Sequence, residues 1–480
     1  MAENEHVLDQ IARYLGEEQA EKITNHDLPF SIAGIDLKKP PGFTGKVVEW
    51  INHGAHYPRR NLAVIAALTA IGNIAGLKYR DDISGITTNL LSICIAGTGT
   101  GKDWIIAAMK EIISSSGMGA ACCGDMKSKQ EVIRNLIEHQ AAFYIKDEIG
   151  EIMRSIENAK KSGNAAYLEG ITGEIMSIFT KANTSLQVGG DIKRDMIKAM
   201  QIQMASIAKI MEEQGDESGR YRSRMDSMMP LYESISRDGS LPKPFLSLLG
   251  CTTMEAFEGS INVEVVKNGL LNRTIIVEEN DTNPKYNTQC QRTPFPYDYE
   301  LLNIGGSGVF PSASDRIENY EEPQKISTNI EAKKMLLMIM DWQWEYAEYH
   351  KEHTGYESLA RRAYEFISKV STILAIGDGA VRTSEHIKWA AAYIKRDIEN
   401  KIGLAIYATG KQAGAQKEEV MDSLEARAVH LCGKKGVYRS TLVHKLKRKG
   451  LDTAKIESFI DRLVNKEVLV HDGKFVKNKQ

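Results

Sequence analysis

The sequence predicts an α/β fold, followed along the chain by a helical region and a small C-terminal winged helix. An apolar run at residues 90–95 stops at a glycine-rich turn, and a helical pattern follows it. A second apolar run, at 141–145, ends in an acidic pair. Buried strands that alternate with helices are typical of a parallel sheet. Strongly helical periodicity then occupies residues 328–402.

Composition places the chain among ordinary globular proteins, with 480 residues, 42% hydrophobic and 26% charged. A formal net charge of −2 gives no global basic field, so any argument for nucleic acid must be local. The six cysteines include no CxxC pair and no Cys/His cluster, so neither a zinc site nor a disulfide framework is indicated. No signal peptide opens the chain, and the apolar segment 61–77 is short for a membrane span. We expect a cytoplasmic protein without a membrane partner.

The turn after the first strand has the composition of a phosphate-binding loop. Its glycines let several backbone N–H groups point at one anion, and the following helix N-terminus adds partial positive charge. Lys102 would reach the outer phosphates. The alternative is an ordinary glycine-rich turn that happens to precede a lysine. The predicted nucleotide-binding residues are Gly97, Thr98, Gly99, Thr100, Gly101, Lys102 and Asp103.

Two positions depart from the pattern GxxxxGK[ST]. Ala96 replaces the first glycine, which is a mild change. Asp103 replaces the Ser or Thr that usually holds Mg²⁺. A carboxylate can take part in binding Mg²⁺, but it also repels phosphate. The sequence therefore leaves open whether Asp103 supports or weakens the binding of Mg²⁺ and ATP.

The acidic pair Asp147 and Glu148 ends the second apolar run. Asp147 would hold Mg²⁺ directly or through water, and Glu148 would orient and polarise the attacking water. Alone, such a pair usually marks a strand that meets solvent, but its position after a phosphate loop favours phosphoryl chemistry. Lys146 interrupts the run, and its ammonium can reach solvent at the strand end. ATP and Mg²⁺ are the expected ligands.

Composition also divides the chain into segments. In the insertion, the sequence predicts a hairpin turn at Gly189-Gly190, a helix over about 192–213 and a basic loop at 219–224. Arg59 is expected to be a solvated residue at a helix start, and residues 409–417 a flexible linker. The segments are an N-terminal helix and linker (1–43), the core (44–280) with its insertion at about 150–240, a linker (281–325), a helical region (326–408) and a winged helix (418–480).

The C-terminal segment is the only clearly basic module. Three helices and a hairpin that turns at Asp472-Gly473 predict the winged helix. Lys445, Lys447 and Arg448 are its candidate DNA-binding residues, because a basic winged helix offers a phosphate-binding surface and a groove-sized helix. The alternative is a winged helix that docks protein and has a solvated charged face.

Four stretches in order, TNLLSICIAGTGTGKD, FYIKDEIG, LSLLGCTT and GLLNR, precede the helical region and the winged helix. This arrangement resembles the AAA+-like replication ATPases of phages and mobile genetic elements, of the primase–helicase or self-loading helicase type. It is similar in domain order to the MCM helicases. The resemblance covers roughly residues 40–480 and is least secure in the insertion.

The resemblance implies roles for residues beyond the loop and the acidic pair. Thr252 or Thr253 would be the polar sensor that helps place the attacking water, although Thr252 could simply cap the next helix. Arg273 would be an arginine finger for a neighbouring subunit, or else a surface ion pair. Arg361 or Arg362 would be the second sensor, or else solvated helix charge.

The implied function is ATP-dependent DNA unwinding or translocation by a ring, expected to be a homohexamer, because an arginine acting in trans needs a neighbour. Single-stranded DNA would occupy the pore, lined by Lys193, Arg194, Arg220 and Arg222, and duplex DNA is a candidate ligand of the winged helix. One rival is an ATP-switched initiator or helicase-loading factor, which Asp103 favours; another is a remodeller whose winged helix docks protein. A replication-initiation partner is also expected. A catalytic primase is not, because the residues before Thr44 are too few.

Overall fold

The computed structural model describes most of the chain. Its residues fall into two compact units, Met1–Ile406 and Tyr407–Gln480. The described residues are 2–76, 78–139, 141–162, 170–216, 219–260, 269–279, 284–305, 323–432, 436–446, 453–466, 468–472 and 475–478.

Helices and strands alternate along the chain, as an α/β fold requires. The elements of both units are numbered together. In chain order the helices are α1 (Ala2–Leu15), α2 (Glu17–Thr24), α3 (Gly42–His53), α4 (Arg60–Ala75), α5 (Lys102–Ser115), α6 (Lys129–His139), α7 (Ile149–Ser162), α8 (Ile171–Lys181), α9 (Gly190–Gln214), α10 (Arg220–Asp238), α11 (Met254–Ser260), α12 (Asp298–Gly305), α13 (Ile330–His353), α14 (Glu357–Ala360), α15 (Ala363–Gly377), α16 (Ser384–Cys432), α17 (Arg439–Leu446) and α18 (Thr453–Asn465). The strands are β1 (Tyr79–Arg80), β2 (Leu91–Ala96), β3 (Cys122–Cys123), β4 (Ala141–Lys146), β5 (Ser185–Gln187), β6 (Ser240–Pro242), β7 (Phe245–Thr252), β8 (Thr274–Glu279), β9 (Gln324–Lys325), β10 (Ser327–Thr328), β11 (Val381–Arg382), β12 (Val437–Tyr438), β13 (Leu469–Asp472) and β14 (Phe475–Asn478).

A five-stranded sheet in the order β3-β4-β7-β2-β8 forms the centre of the first unit. All four of its strand pairs are parallel. Every residue of β2 and β7 is buried, as expected for strands that helices cover on both faces. The structure is therefore a mixed α/β fold with a parallel sheet, in agreement with the coarse prediction from the sequence.

Helix α4 is apolar on all sides and packs between the sheet and other helices. All residues from Asn61 to Ala75 are buried, and α4 contacts β2, β7, β8, α5 and α15. Gly72 allows close approach to the chain before β2, since an added Cβ would lie 2.5 Å from the Thr88 carbonyl oxygen. In the described part of the chain, no helix combines the length and apolar character needed to cross a bilayer.

The insertion differs from its prediction in two places. Residues 185–187 form β5, which pairs antiparallel with β6 at 240–242, and α9 begins at Gly190. The predicted hairpin at Gly189-Gly190 is therefore wrong, because the partner of β5 lies about fifty residues later and no local pattern reveals it. The predicted basic loop at 219–224 is also wrong, since α10 begins at Arg220. Helices α9 and α10 pack together as a helical hairpin.

The predicted linker at 409–417 is helical. It lies within α16, which runs without a break from Ser384 to Cys432. Gly410 and Gly414 suggested flexibility, but each glycine costs a helix only about 1 kcal/mol relative to alanine. The alanine, glutamine and lysine residues around them are strong helix formers, so their combined preference prevails.

The second unit has its own apolar core and a three-stranded sheet in the order β12-β14-β13. Both strand pairs are antiparallel, with Asp472 opposite Phe475, so β13 and β14 form the predicted hairpin around residues that lie outside the described part. Leu442, Phe459 and Ile460 pack with Val476 in the core. Lys447 and Arg448 also lie outside the described residues.

A buried lysine joins the helical region to the chain before β2. Lys369 on α15 donates hydrogen bonds to Asn89 Oδ1 at 2.7 Å, to the Thr87 carbonyl oxygen at 3.0 Å and to Thr87 Oγ1 at 3.2 Å. Its ammonium also lies 4.6 Å from the ring centroid of Phe179. Burial lowers the pKa of Lys369 to about 7.

This burial predicts a pH-dependent contribution to stability. Above pH 7 Lys369 is neutral when folded, whereas the unfolded chain keeps the proton up to pH of about 10. Because the unfolded state then binds more protons, this lysine makes stability rise with pH across that window. Relative to Lys369→Met, the wild-type free energy of unfolding should rise by up to about 1.4 kcal/mol per pH unit between pH 7 and 9. Urea denaturation at several pH values measures this, with exposed Lys333→Met as control. Parallel pH curves for wild type and Lys369→Met would contradict it.

Candidate nucleotide-binding site

The glycine-rich loop lies at the carboxyl end of β2, with β7 and β8 hydrogen-bonded on either side. In open parallel sheets, ligands bind outside the carboxyl ends of the strands. Gly99 and Gly101 have φ values of 69° and 97°, a left-handed conformation that glycine adopts without strain. Gly97, Thr98 and Gly99 are exposed, so the backbone of the loop is accessible to an anion.

Lys102 is the first residue of α5 and folds back over the loop. Its side chain is 6% exposed, and Nζ donates to the Ala96 carbonyl oxygen at 3.2 Å. Thr100 Oγ1 donates to the Gly97 carbonyl oxygen at 2.6 Å and closes the turn. The loop thus holds a cation and a helix N-terminus at one point, the combination that binds phosphate.

Arg59 binds the backbone of the loop, a contact that was not predicted from the sequence. The prediction of a solvated residue is wrong, because Arg59 is 1% exposed and its Nε donates to the Thr100 carbonyl oxygen at 2.5 Å. The backbone beside it also touches the loop, since a Cβ added at Gly101 would lie 3.0 Å from the Tyr57 carbonyl oxygen. The two adjacent arginines at the start of α4 drew attention to this position in the sequence. The sequence alone could not show which of the two is buried.

The acidic pair lies at the same edge of the sheet as the loop. Lys146 at the end of β4 pairs with Gly250, and Ile93 of β2 pairs with the same residue from the other side. Asp147 and Glu148 therefore follow β4 two strands away from the loop strand, a spacing of about 10 Å. Both side chains are exposed, and Glu148 has a φ of 51°. The Glu148 N–H donates to Asp147 Oδ1 at 3.0 Å, which orients the Asp147 carboxylate toward the backbone of the next residue.

Lys146 does not extend into solvent as predicted. It is 8% exposed, and its Nζ lies 2.8 Å from Asp125 Oδ1. The hydrogen bond from Lys146 lowers the pKa of Asp125 below its usual range. The Lys146 ammonium thus forms its ion pair with Asp125.

Thr252 ends β7, the strand between β2 and β4, and is buried. Its Oγ1 faces the start of α7, directly after the acidic pair, since a Cβ added at Gly150 would lie 2.4 Å from that oxygen. Thr253, not Thr252, caps the next helix: its Oγ1 accepts from the Ala256 N–H at 3.3 Å. Thr252 therefore lies between the loop and the acidic pair.

Asp103 and Asp147 are the residues considered as Mg²⁺ ligands. Asp103 is exposed in the first turn of α5, and Asp147 is exposed at the end of β4. Within the described residues, no group of three or more His, Cys, Asp or Glu side chains could hold a metal ion. Mg²⁺ in phosphate sites is bound through one or two carboxylates together with substrate phosphates. Asp103 and Asp147 could supply the one or two carboxylates that such a site needs.

The three predicted arginines lie away from this edge. Arg273 precedes Thr274, which pairs with Leu91, whereas the loop follows Ala96 at the opposite end of β2. At about 3.3 Å per residue, the two ends are roughly 20 Å apart. Arg273 donates to Thr180 Oγ1 at 3.3 Å and to the Gly269 carbonyl oxygen at 3.1 Å. At that distance the Arg273 side chain cannot reach the loop of its own chain.

Arg362 lies close to Arg273. Burial is the main cause that lowers the pKa of Arg273, and the charge of Arg362 lowers it further. Arg362 Nη1 is 2.5 Å from Glu365 Oε2, whereas Arg361 is exposed. The structure thus brings Arg273 and Arg362 together and separates Arg273 from the loop that carries Lys102.

The predicted DNA-binding cations are spread over two units. Lys193 is half-buried on α9, and the exposed Arg194 forms an ion pair with Asp191. Arg220 and Arg222 are exposed in the first turns of α10, near the tip of the helical hairpin. Lys445 is exposed in the last turn of α17 in the second unit.

The contact between Arg59 and the loop predicts a loss of nucleotide binding in Arg59→Met. A hydrogen bond from a charged group contributes about 1.5–3 kcal/mol, so ATP affinity should fall by roughly tenfold or more. Isothermal titration calorimetry measures the affinity, and a melting curve checks that the fold is retained. Arg237→Met, which removes an exposed arginine from α10, is the matched control. Wild-type affinity in Arg59→Met would show that the loop does not need this support.

The chain was also compared with known proteins. No protein-family model, no curated protein and no solved structure matches it. The function is therefore inferred from the geometry of the loop, the acidic pair and the residues around them.

Proposed function

We propose that this chain is an ATP-hydrolysing P-loop protein of the AAA+-like type. The observation that carries the proposal is the position of Lys102, Asp147 and Glu148 at one sheet edge, with Thr252 on the strand between them. A loop for phosphate and carboxylates for water are the two parts that phosphoryl transfer to water requires. The order of the strands brings these parts together, although they are far apart in sequence.

Each residue has a defined task in this proposal. The backbone of the loop binds the phosphates, and the Lys102 ammonium exchanges the Ala96 carbonyl for a phosphate oxygen. Glu148 accepts the proton of the attacking water, and Thr252 helps to orient that water. Bound Mg²⁺ would neutralise phosphate charge, and Asp147, with Asp103 as the second candidate, would hold it.

The separation of the arginines supports an oligomer. Arg273 cannot reach its own loop, so it could stabilise a γ-phosphate only in a neighbouring subunit, and Arg362 lies beside it. An arrangement in which each subunit completes the site of the next is a heterologous contact, and such contacts generate rings. We propose a homohexameric ring, in line with the resemblance seen in the sequence.

The exposed cations near the tip of α9 and α10 support a motor that acts on DNA. Arg220 and Arg222 lie in the insertion between β4, which ends in the acidic pair, and β7, which ends in Thr252. The helical hairpin is connected to β4 and β7, which end at the site. It could therefore transmit the movement caused by hydrolysis to bound single-stranded DNA. The second unit, with its β-hairpin and exposed Lys445, fits a winged helix for duplex DNA. We therefore propose a replicative helicase or translocase of a mobile element.

A second candidate function is an ATP-switched initiator or helicase-loading factor. Its support is Asp103, an exposed carboxylate in the first turn of α5 that would lie near the phosphates. A charge there lowers nucleotide affinity and slows turnover unless a metal ion neutralises it. Such a protein would bind ATP and assemble, but would hydrolyse it without processive unwinding.

Two variants test the chemistry. Lys102→Ala should abolish ATP binding, because it removes the cation from the phosphates. Glu148→Gln should keep ATP affinity and lose turnover by about 10²–10⁴-fold, since an amide cannot accept the proton. The ATPase rate measures turnover. The change in that rate on addition of single-stranded DNA measures the coupling between hydrolysis and DNA binding. Stimulation by DNA supports the motor, and turnover that DNA leaves unchanged supports the switch. Wild-type turnover in Glu148→Gln would contradict the role of the acidic pair.

Mixing two inactive variants tests the ring. Arg273→Ala should keep the nucleotide affinity of the subunit and lose ATPase activity by about 10³–10⁵-fold, as arginine fingers generally do. Adding Lys102→Ala subunits should restore part of the activity, because some interfaces would then join an intact loop to an intact arginine. The measurement is a titration of one variant into the other at constant total protein. Absence of recovery, once mixed oligomers are shown to form, would exclude action in trans.

A further inference from the structure

An aromatic cluster lies beside the phosphate loop and has no task in the chemistry above. Tyr57, in the turn before α4, is 37% exposed, and Tyr286 is 56% exposed. Their ring centroids are 5.6 Å apart in an edge-to-face arrangement. His56 stacks on Tyr286 at 5.6 Å with an angle of 9° between the ring planes. Large exposed rings of this kind offer flat faces to a ligand.

Hydrogen bonds hold this cluster in place. The Asn287 N–H, next to Tyr286, donates to the His56 carbonyl oxygen at 2.7 Å, and Asn287 Nδ2 donates to the Ala55 carbonyl oxygen at 3.2 Å. Further along, the guanidinium of Arg292 lies 4.7 Å from the ring centroid of Trp104, on the first turn of α5. The segment that carries Tyr286 is thus fastened to the turn before α4 and to the helix after the loop.

The cluster also has a fixed position relative to the phosphates. The Tyr57 backbone touches the loop at Gly101, as the 3.0 Å approach of its carbonyl oxygen to an added Cβ shows. The Tyr57 ring in turn contacts the Tyr286 ring, so two successive contacts connect Gly101 to Tyr286. Tyr286 and Pro58 line an open cleft with a volume of about 590 Å³, together with Lys39 and Lys285. The cleft is large enough for a nucleoside, and Tyr57 links its Tyr286 wall to the loop.

We infer that Tyr286, supported by Tyr57 and His56, stacks against the base of the nucleotide whose phosphates bind the loop. A purine is the favoured base, because it presents the larger flat surface. Stacking on an aromatic ring strengthens the binding of any base and does not read its hydrogen-bonding edge. The cluster therefore adds affinity for purine nucleotides without strong discrimination between ATP and GTP. This inference rests on the proposed function, since it needs a nucleotide on the loop.

Binding of two probes, ATP and inorganic tripolyphosphate, tests the inference in the full-length protein by calorimetry. Tripolyphosphate carries the phosphates but no base. Tyr286→Ala should weaken ATP binding by about tenfold and leave tripolyphosphate binding unchanged. Tyr286→Phe keeps the ring and should bind ATP like the wild type. Tyr299→Ala, which removes a tyrosine that is 71% exposed on α12, is the control for loss of an exposed ring.

The outcomes separate this inference from the proposed function. Wild-type ATP affinity in Tyr286→Ala, or an equal loss for ATP and tripolyphosphate, would overturn base stacking and leave the phosphate site standing. A wild-type protein that binds neither probe would overturn the phosphate site itself, and base stacking with it. Loss of ATP affinity in Tyr286→Phe would show that the hydroxyl, not the ring, is needed.

Discussion

The constraint on which the rest of the structure depends is the central position of β2. Hydrogen bonds from β7 and β8 fix it on both sides, so the turn at its carboxyl end cannot move independently of the sheet. The adjacent ends of β7 and β4 then determine where Thr252 and the acidic pair lie. Sheet pairing of this kind tolerates no shift of one residue, because a slip would exchange the two faces of each strand. The geometry of the candidate site is therefore a consequence of strand register.

The central site was largely predictable from the sequence, and its surroundings were not. The strand, loop and helix around Lys102 are contiguous, so local periodicity and glycine placement reveal them. Thr252 and the acidic pair could be found because strand ends are marked by abrupt changes from apolar to polar residues. Arg59 and Tyr286 carry no such mark, since their contacts with the loop region join segments that are distant in sequence. The β5–β6 pairing was missed for the same reason.

The burial of charged side chains in the helical region was not predictable from the sequence. Lys395 pairs with Glu399, and Lys401 with Asp397, and all four side chains are almost fully buried. Asp397 also accepts a hydrogen bond from the Ile276 N–H of β8 at 2.7 Å. A pattern of charges four residues apart usually indicates an exposed helix face. Here both pairs are buried: Asp397 and Lys401 lie against β8, whereas Lys395 donates to the Thr24 carbonyl oxygen. Each charge requires its partner, since an unpaired buried charge is strongly destabilising.

The position of Lys102 has a consequence for the competition between anions. Its ammonium already has an acceptor in the Ala96 carbonyl at 3.2 Å, so a ligand gains only the difference between its own oxygen and that carbonyl. A small anion can replace that one carbonyl, whereas a polyphosphate offers several further charged oxygens and can also use the backbone N–H groups of the loop. On the proposed function, the resting bond of Lys102 therefore favours ligands with several phosphates over single small anions.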